Sequence, residues 1–421
     1  MDKKIYDFTQ ISDACIKCGK CTPGCTINLV NNDEVTSPRG FLDLLGAYKR
    51  GDLELDDNAK DIFESCFLCT HCTDVCPNSL PTDTVIEEVR ADIAQKYGIN
   101  WYKKVFFFLL KHRFLMDVAS KLGYVFKSCV LKEQKNGLQT RFNLPIIKKG
   151  RLLPSMKSKS FLNSYPENIK GSSGKVAIFI GCLSNYNYTQ TGDSLVKILK
   201  ALDKEIFLAK KQKCCGAPAY FTGDFDTVLH LIKQNLVYFE SFIDDVEAII
   251  IPEATCSAMI THDWEVFLNN RGEKELAKRV AKIKHKIFIA TKWLAQQQKL
   301  QQLLAKNSAN TTITYHDPCH AKKVQGVYKE PRELLEKAYI LTEMSDPNRC
   351  CGFGGVTMQT QKYHYAKAAG EPKAKMIADT KAEVVSAECS ACRMQLSDAM
   401  VQSDVTTEFK NPIELIAEAL D

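Results

Sequence analysis

The sequence has no long apolar run. The longest, Val105 to Leu110, is six residues, against the ~20 that a membrane-spanning helix needs. It also lacks a G-x-G-x-x-G turn set between a strand and a helix, and it has no phosphate-binding loop. The glycines at 352–355 do not stand in that setting, so no flavin or nucleotide site is expected. The first residues, MDKKIYDFTQ, contain no apolar stretch of the signal-peptide kind, and a cytoplasmic location is expected. Disorder is not expected either, because 45% of the residues are hydrophobic and 25% charged, as in ordinary globular proteins.

Cysteine is what the chain has in excess, with 18 residues. A reducing compartment disfavours stable disulfides, so thiols in this number point to metal binding. Cys129 stands alone and is expected in a core. The others fall into regular runs. CIKCGKCTPGC places Cys15, Cys18, Cys21 and Cys25 at C-x2-C-x2-C-x3-C, and CFLCTHCTDVCP places Cys66, Cys69, Cys72 and Cys76 at the same spacing, followed by Pro77. This is the bacterial ferredoxin pattern, in which the fourth cysteine of each run ligates the other cluster. One 4Fe–4S cluster is thus expected on Cys15, Cys18, Cys21 and Cys76, and a second on Cys66, Cys69, Cys72 and Cys25. Thr26 stands where the first run would usually have proline. Zinc takes four ligands in C-x2-C pairs and fits these runs poorly. His71, inside the second run, is expected to be a solvated loop residue.

Between the runs, helices are expected: one opened by Ser37 and Pro38 and closed by Gly51, one over 56–64, and one from Thr82 or Asp83 to Gly98. Residues 101–126 are apolar around much of a helix, and 128–174 read as a linker rich in Ser, Lys and Pro. From 174 onward short apolar strands alternate with helices, near 193–203 and 226–240 for instance. The strands are KVAIFIG (175–181), EIFLA (205–209), EAIIIP (247–252), KIFIA (286–290), TITYH (312–316) and AEVVSA (382–387). This is the pattern of α/β layers on a mainly parallel sheet, in two related halves.

The cysteines repeat with the halves. Cys182, Cys214-Cys215 and Cys256 in the first match Cys319, Cys350-Cys351 and Cys389 in the second, where Cys392 is added; Met259 holds the position of Cys392 in the first half. Strand ends of α/β sheets gather ligands, so each half is expected to bring its cysteines to one mouth. Glycine after each Cys-Cys pair would let the backbone approach a cluster closely. The alternatives are a vicinal disulfide, an inert thiol pair, or zinc in one half. His316 and His320 flank Cys319 and could act in proton transfer or hydrogen bonding to cluster sulfur, or be satisfied by backbone; Asp317 could orient either or cap the turn.

Charge is unevenly spread. Residues 101–175 carry sixteen Lys/Arg and three acids (Asp117, Glu133, Glu167), a local net of +13 within a total of +6. No nucleic-acid motif accompanies the block, and no nucleic-acid partner is expected. Basic residues beside Trp101, Tyr102, Phe106, Phe107 and Phe108 could instead seat a helix on an anionic membrane. The alternative is a helix packed on its own domain or on a partner subunit.

Together these features resemble the CCG-domain family of iron–sulfur proteins, which includes subunits of heterodisulfide reductase, glycolate oxidase and anaerobic glycerol-3-phosphate dehydrogenase, and lactate-utilisation proteins. The layout, with SPRGFLDLL (37–45), CFLCTHCTDVCP (66–77) and IELIAEAL (413–420), is most similar to the glycolate oxidase iron–sulfur subunit. The fold implied is α+β and multidomain: a helical ferredoxin-like domain over 1–99, a basic amphipathic segment and linker over 100–173, and duplicated α/β CCG domains over 174–305 and 306–421. By analogy with heterodisulfide reductase, Cys319, Cys350, Cys351, Cys389 and Cys392 would hold a noncubane 4Fe–4S cluster. Met259 leaves a cluster on Cys182, Cys214, Cys215 and Cys256 open. The function implied is electron transfer from a flavin-containing 2-hydroxy-acid (glycolate or lactate) dehydrogenase subunit toward a quinone, with peripheral contact at the inner face of the cytoplasmic membrane. The alternatives are a heterodisulfide or disulfide reductase acting at the second half, a protein like the CCG-domain subunit of anaerobic glycerol-3-phosphate dehydrogenase, or a redox sensor. No catalytic residue is assigned.

Overall fold

The structure, a computed structural model, describes residues 10–134, 137–142, 146–306 and 310–421. Its N-terminal part is helical, in the order α1 (Thr26–Asn31), α2 (Pro38–Arg50), α3 (Asp57–Glu64), α4 (His71–Asp74) and α5 (Thr82–Tyr97). The caps read from the sequence are in place. Ser37 Oγ accepts from Gly40 N at 3.1 Å, and Gly51 closes α2 with φ 83°. Phe41, Phe63 and Val89 form a core here, and Met358, Tyr363, Ala366 and Ala369 from the second α/β half complete it. This region is therefore built onto helix Tyr363–Asp379 of that half. Buried Arg90 ties the parts together. Its guanidinium donates to the carbonyls of Phe63 (3.2 and 3.1 Å), Cys66 (2.7 Å) and Phe221 (3.0 Å).

The segment 101–130 is two helices, α6 (Trp101–Lys111) and α7 (Arg113–Val130), which break at His112. In α6, Phe107, Leu110 and Lys103 are buried, and Lys103 Nζ donates to Thr357 Oγ1 at 2.9 Å. None of α7 is fully buried. Cys129, expected in a core, is exposed for that reason. The supposed linker that follows is docked structure. β1 (Leu131–Gln134), β2 (Gly137–Thr140) and β3 (Leu152–Leu153) form an antiparallel sheet. Arg151 donates to the Gln359 carbonyl at 2.7 Å, Leu152 N to Asp398 Oδ1 at 2.8 Å, and Phe161 and Leu162 are buried. A few anchors spaced about ten residues apart hold this segment, too sparse a signal for periodicity to reveal.

The strands expected after 174 all occur: β5 (Lys175–Ile178), β6 (Glu205–Leu208), β7 (Ala248–Ile251), β8 (Ile287–Ile289), β9 (Thr312–Tyr315) and β11 (Val384–Ser386). Short strands β4 (Asn168–Ile169), β10 (Ile340–Leu341) and β12 (Glu408–Lys410) complete two sheets, ordered β4-β6-β5-β7-β8 and β10-β9-β11-β12. Only β4 is antiparallel in these two sheets. Without it the two orders are the same, second-first-third-fourth in chain order, as duplicated halves require. The halves share one core, in which Ile178, Leu199 and Ile250 meet Ile313, Tyr315 and Ile413. Helix Pro412–Glu418 enters it behind a capping box of Asn411 and Glu414.

Arg90→Leu leaves three buried carbonyls without a donor and should lower stability by about 2–4 kcal/mol. Arg90→Lys should recover only part, because an ammonium cannot match the planar fork. Thermal melting followed by circular dichroism on the anaerobic protein measures this; an unchanged melt for Arg90→Leu would remove the guanidinium from its linking role.

Candidate metal centres

The two ferredoxin-type runs share a backbone device. Lys17 and Leu68, each two residues after the first cysteine of its run, have φ of 54° and 50°, and Gly19 and Thr70, each just after the second, have φ of 74° and 58°. Left-handed backbone at non-glycine residues is strained. Its repetition at matching positions marks a preformed cradle that turns amides inward: Leu68 N donates to Cys66 Sγ at 3.4 Å. The fourth cysteines cross over. Cys25, Cys66, Cys69 and Cys72 line one small cavity. Cys21 has Cys15 and Cys76 for its charged neighbours. Burial pushes the Cys66 thiol up to about 12, and burial together with nearby Cys69 also raises Cys25. Thiols crowded into one buried volume resist ionising together, and iron cations would relieve that repulsion; the donor set fits a cluster. Two details depart from expectation. His71 is half-buried at the head of α4, and its ring fills the space where a side chain on Gly24 would stand. Thr26, in place of proline, donates its hydroxyl to Cys69 Sγ at 3.6 Å.

In each α/β half the cysteines come from the loops and helix starts that follow three adjacent strands. Cys319 follows β9, Cys350-Cys351 follow β10, and Cys389 with Cys392 follow β11. β9 lies between β10 and β11, the point where the strand order reverses and loops diverge to open a crevice. Cys351 Sγ and Cys392 Sγ are 3.5 Å apart, and Gly352 N donates to Cys350 Sγ at 3.4 Å. Hydrogen bonds from Cys350 and Cys392 draw the Cys351 thiol down to about 6. The first half repeats the arrangement after β5, β6 and β7. Cys215 and Cys256 sulfurs are 3.4 Å apart, Gly216 N donates to Cys214 Sγ at 3.5 Å, and Cys182 lies within hydrogen-bonding reach of Cys214. The glycine after each pair has a left-handed backbone, with φ of 101° at Gly216 and 89° at Gly352. With φ of 89°, Gly352 makes a turn, and a Cβ there would meet Ala369 of helix Tyr363–Asp379 at 2.8 Å. It lets the loop lie close against that helix.

The cavities adjoin one another. Cys69 of the second ferredoxin-type run lies within hydrogen-bonding reach of Cys350. Lys323 Nζ donates to the Cys69 carbonyl at 3.3 Å; burial opposes its charge, but Cys69, Cys319 and Cys350 around it raise its pKa. Between the halves, Thr255 Oγ1 is 3.5 Å from Cys389 Sγ, next to Cys256. The loops cross-bond there: Ala254 N donates to the Glu388 carbonyl and Ser390 N to Glu253 Oε2, both at 2.8 Å. Thr255 and Lys323 carry no motif, and only the folded chain brings them to sulfur. Asp317 orients neither histidine; its carboxylate pairs with Lys322 at 2.8 Å and Arg332 at 2.6 Å. His320 Nδ1 is 3.3 Å from Cys319 Sγ. His316 is 1% exposed.

Comparison with known proteins agrees with this partition. The cysteine-rich CCG domain model matches residues 176–261 and 313–397, and the 4Fe–4S dicluster domain model matches 11–80. A Bacillus subtilis protein named "Probable glycolate oxidase iron-sulfur subunit" is 28% identical over 81% of this chain and 79% of its own. One subunit of a Methanosarcina barkeri dihydromethanophenazine:CoB–CoM heterodisulfide reductase is 26% identical over 97% of this chain and 94% of its own. One subunit of the Escherichia coli anaerobic glycerol-3-phosphate dehydrogenase is 27% identical over 96% of this chain and 98% of its own. Two longer relatives are spanned over 60% and 65% of their length. The chain is an iron–sulfur protein in which a 4Fe–4S dicluster domain precedes two cysteine-rich CCG domains.

Proposed function

We propose that this chain is the iron–sulfur electron-transfer subunit of a flavin-dependent 2-hydroxy-acid dehydrogenase, with glycolate or lactate as substrate class and a membrane quinone as acceptor. The observation that carries the reading is the row of adjoining thiol sites. Cys15, Cys18, Cys21 and Cys76 hold one 4Fe–4S centre, and Cys66, Cys69, Cys72 and Cys25 a second. Cys319, Cys350, Cys351, Cys389 and Cys392 hold a third, and Cys182, Cys214, Cys215 and Cys256 a fourth with one thiol fewer. Bound iron–sulfur clusters would accept and release single electrons. The chain's own residues set the spacing: Cys69 beside Cys350 joins the second site to the third, and Thr255 beside Cys389 joins the third to the fourth.

A disulfide reductase acting at the third site is less well supported. Cys350, Cys351, Cys389 and Cys392 are buried, and only Cys319 is partly open, so a substrate disulfide has little sulfur to meet.

The acceptor end of the row is the fourth site, because α6 and α7 cover it. Leu109, Leu110, Arg113 and Met116 line a cavity with Cys182 and Cys214. Arg113 donates to the Lys210 carbonyl at 2.7 Å, and Tyr186 donates to Asp117 at 2.8 Å, which fixes the first turn of α7 to the first half. Along α7, Phe114, Val118, Leu122, Val125 and Phe126 form an exposed stripe at helical spacing, with Phe114 76% exposed. Lysines and arginines crowd the same segment. An apolar stripe flanked by cations suits the interface of an anionic bilayer. No helix among the described residues is long and apolar enough to cross one.

Three outcomes are expected. In anaerobically prepared protein, Cys351→Ser and Cys215→Ser should each remove about four iron atoms, one 4Fe–4S centre, as read by iron and acid-labile sulfide; unchanged content in either rejects that ligand set. Leu122→Glu with Phe126→Glu should abolish pelleting with anionic vesicles at low salt, and wild-type protein that fails to pellet at any salt defeats the membrane contact. Glycolate- or lactate-dependent dye reduction should need both this chain and a co-purifying flavoprotein. Disulfide reduction by the chain alone, with no hydroxy-acid activity in the pair, would favour the reductase.

A further inference from the structure

The second and first halves differ at two positions that face the same mouth. Cys392 corresponds to Met259, and His316, three residues before Cys319, corresponds to Phe179, three before Cys182. Phe179 is a buried core ring packed edge-on against Phe239, with centroids 5.7 Å apart. His316 occupies the equivalent place just beyond β9, pinned by its own backbone N–H to the Ser386 carbonyl at 2.9 Å. Neither ring nitrogen has a hydrogen-bond partner, although the residue is 1% exposed. Of the charged groups around it, Asp317 is engaged with Lys322 and Arg332, and Lys323 is a donor held at the Cys69 carbonyl. A neutral imidazole always carries one N–H, and burying it without an acceptor costs stability for no return. The Pro347 carbonyl lies near the ring but already accepts from Asp317 N at 3.0 Å and Lys373 Nζ at 3.2 Å; the unspent groups the ring faces are sulfur. A ring nitrogen of His316 and the Sγ atoms of Cys351 and Cys392 all lie within 4.8 Å of one another. Lys373 cannot accept that N–H, because it is itself a donor, bonded to the carbonyls of Asp346 and Pro347 at 2.6 and 3.2 Å.

We propose that His316 donates a hydrogen bond to the sulfur of the iron–sulfur centre held by Cys319, Cys350, Cys351, Cys389 and Cys392, and so raises that centre's reduction potential above that of its counterpart in the first half. The inference rests on the ligand set proposed above. An N–H aimed at cluster sulfur stabilises the more negative, reduced state, and hydrogen bonds to sulfur are one of the chain's means of setting a cluster's potential. The first half, with phenylalanine in that place, lacks the donor. The duplicated sites are thereby unequal in potential as well as in thiol number.

The test uses the full chain, reconstituted anaerobically and labelled with ¹⁵N-histidine. Pulsed electron paramagnetic resonance of the wild type should show a weak histidine nitrogen coupling that is lost in His316→Phe. A redox titration of the same samples should show one centre shifted to lower potential in His316→Phe at unchanged iron content, with partial return in His316→Asn. A role in packing alone would leave the potential where it was. Absence of the coupling in wild-type protein overturns the proposal whether or not the phenylalanine variant keeps its cluster, and a coupling of direct-ligand strength replaces the donor role with ligation. If wild-type iron content equals that of Cys351→Ser, the ligand set itself falls and this inference with it; if the centre is present and its potential is the same in all three proteins, only this inference falls.

Discussion

A single sulfur-to-sulfur approach, Cys69 to Cys350, organises the molecule. One thiol comes from a ferredoxin-type loop near the N-terminus and the other from the Cys-Cys pair of the last domain. To hold them together the dicluster domain must dock rigidly, and three features see to it. Its core is finished by residues of helix Tyr363–Asp379. Arg90 joins the Cys66 carbonyl of its own domain to the Phe221 carbonyl of the first half. Lys323 sits between the two sites, where its charge is kept by the thiols on either side. A buried cation is costly unless paired; here its natural counterions are thiolates, and the cation favours the ionised sulfur that a metal requires.

The same helix accounts for the glycine of the Cys-Cys-Gly loop. Gly352 lies against Ala369, Gly370 against Ala399, and small residues let the loop, helix Tyr363–Asp379 and helix Ser390–Gln402 stack without room for a Cβ. The consequence is positional. Cys351 reaches Cys392 from one side while Cys350 reaches Cys69 from the other. The two thiols of the pair also reach each other, so the pair belongs to the third site while touching the second. In the first half Cys215 meets Cys256 and Cys214 meets Cys182, and the pair closes on one cavity.

Local spacing carries local chemistry, and this is why the ferredoxin-type runs, the six main strands and the helices α2, α3 and α5 were legible in the sequence. Each rests on a pattern within about twenty residues: a thiol repeat, an apolar run ended by a turn, a Ser-Pro start or a glycine stop. What was not legible depends on partners far away in the chain. The segment after α7 looked like a linker because its anchors, Arg151, Leu152 and Phe161, find their partners at Gln359, Asp398 and the first-half core. Cys129 was assigned to a core on the strength of its isolation, but α7 turns much of its apolar surface outward. Periodicity reports that a helix has two faces without saying which one the protein covers. Thr26 was noticed as a departure, and only the fold shows that its hydroxyl meets a thiol of the other run.

The duplication leaves the halves with one backbone and two chemistries. Strand order, the Cys-Cys-Gly turn and the amide bond to the first thiol of each pair are common to both. The differences gather at the mouth: Met259 against Cys392 and Phe179 against His316 remove a thiol and an imidazole from the first half and put apolar groups in their place. Low polarity around an iron–sulfur site disfavours the more highly charged reduced state, just as donors favour it. Two sites that began alike would thus be driven apart in potential by the residues that line them, without any change in the sheet that carries them.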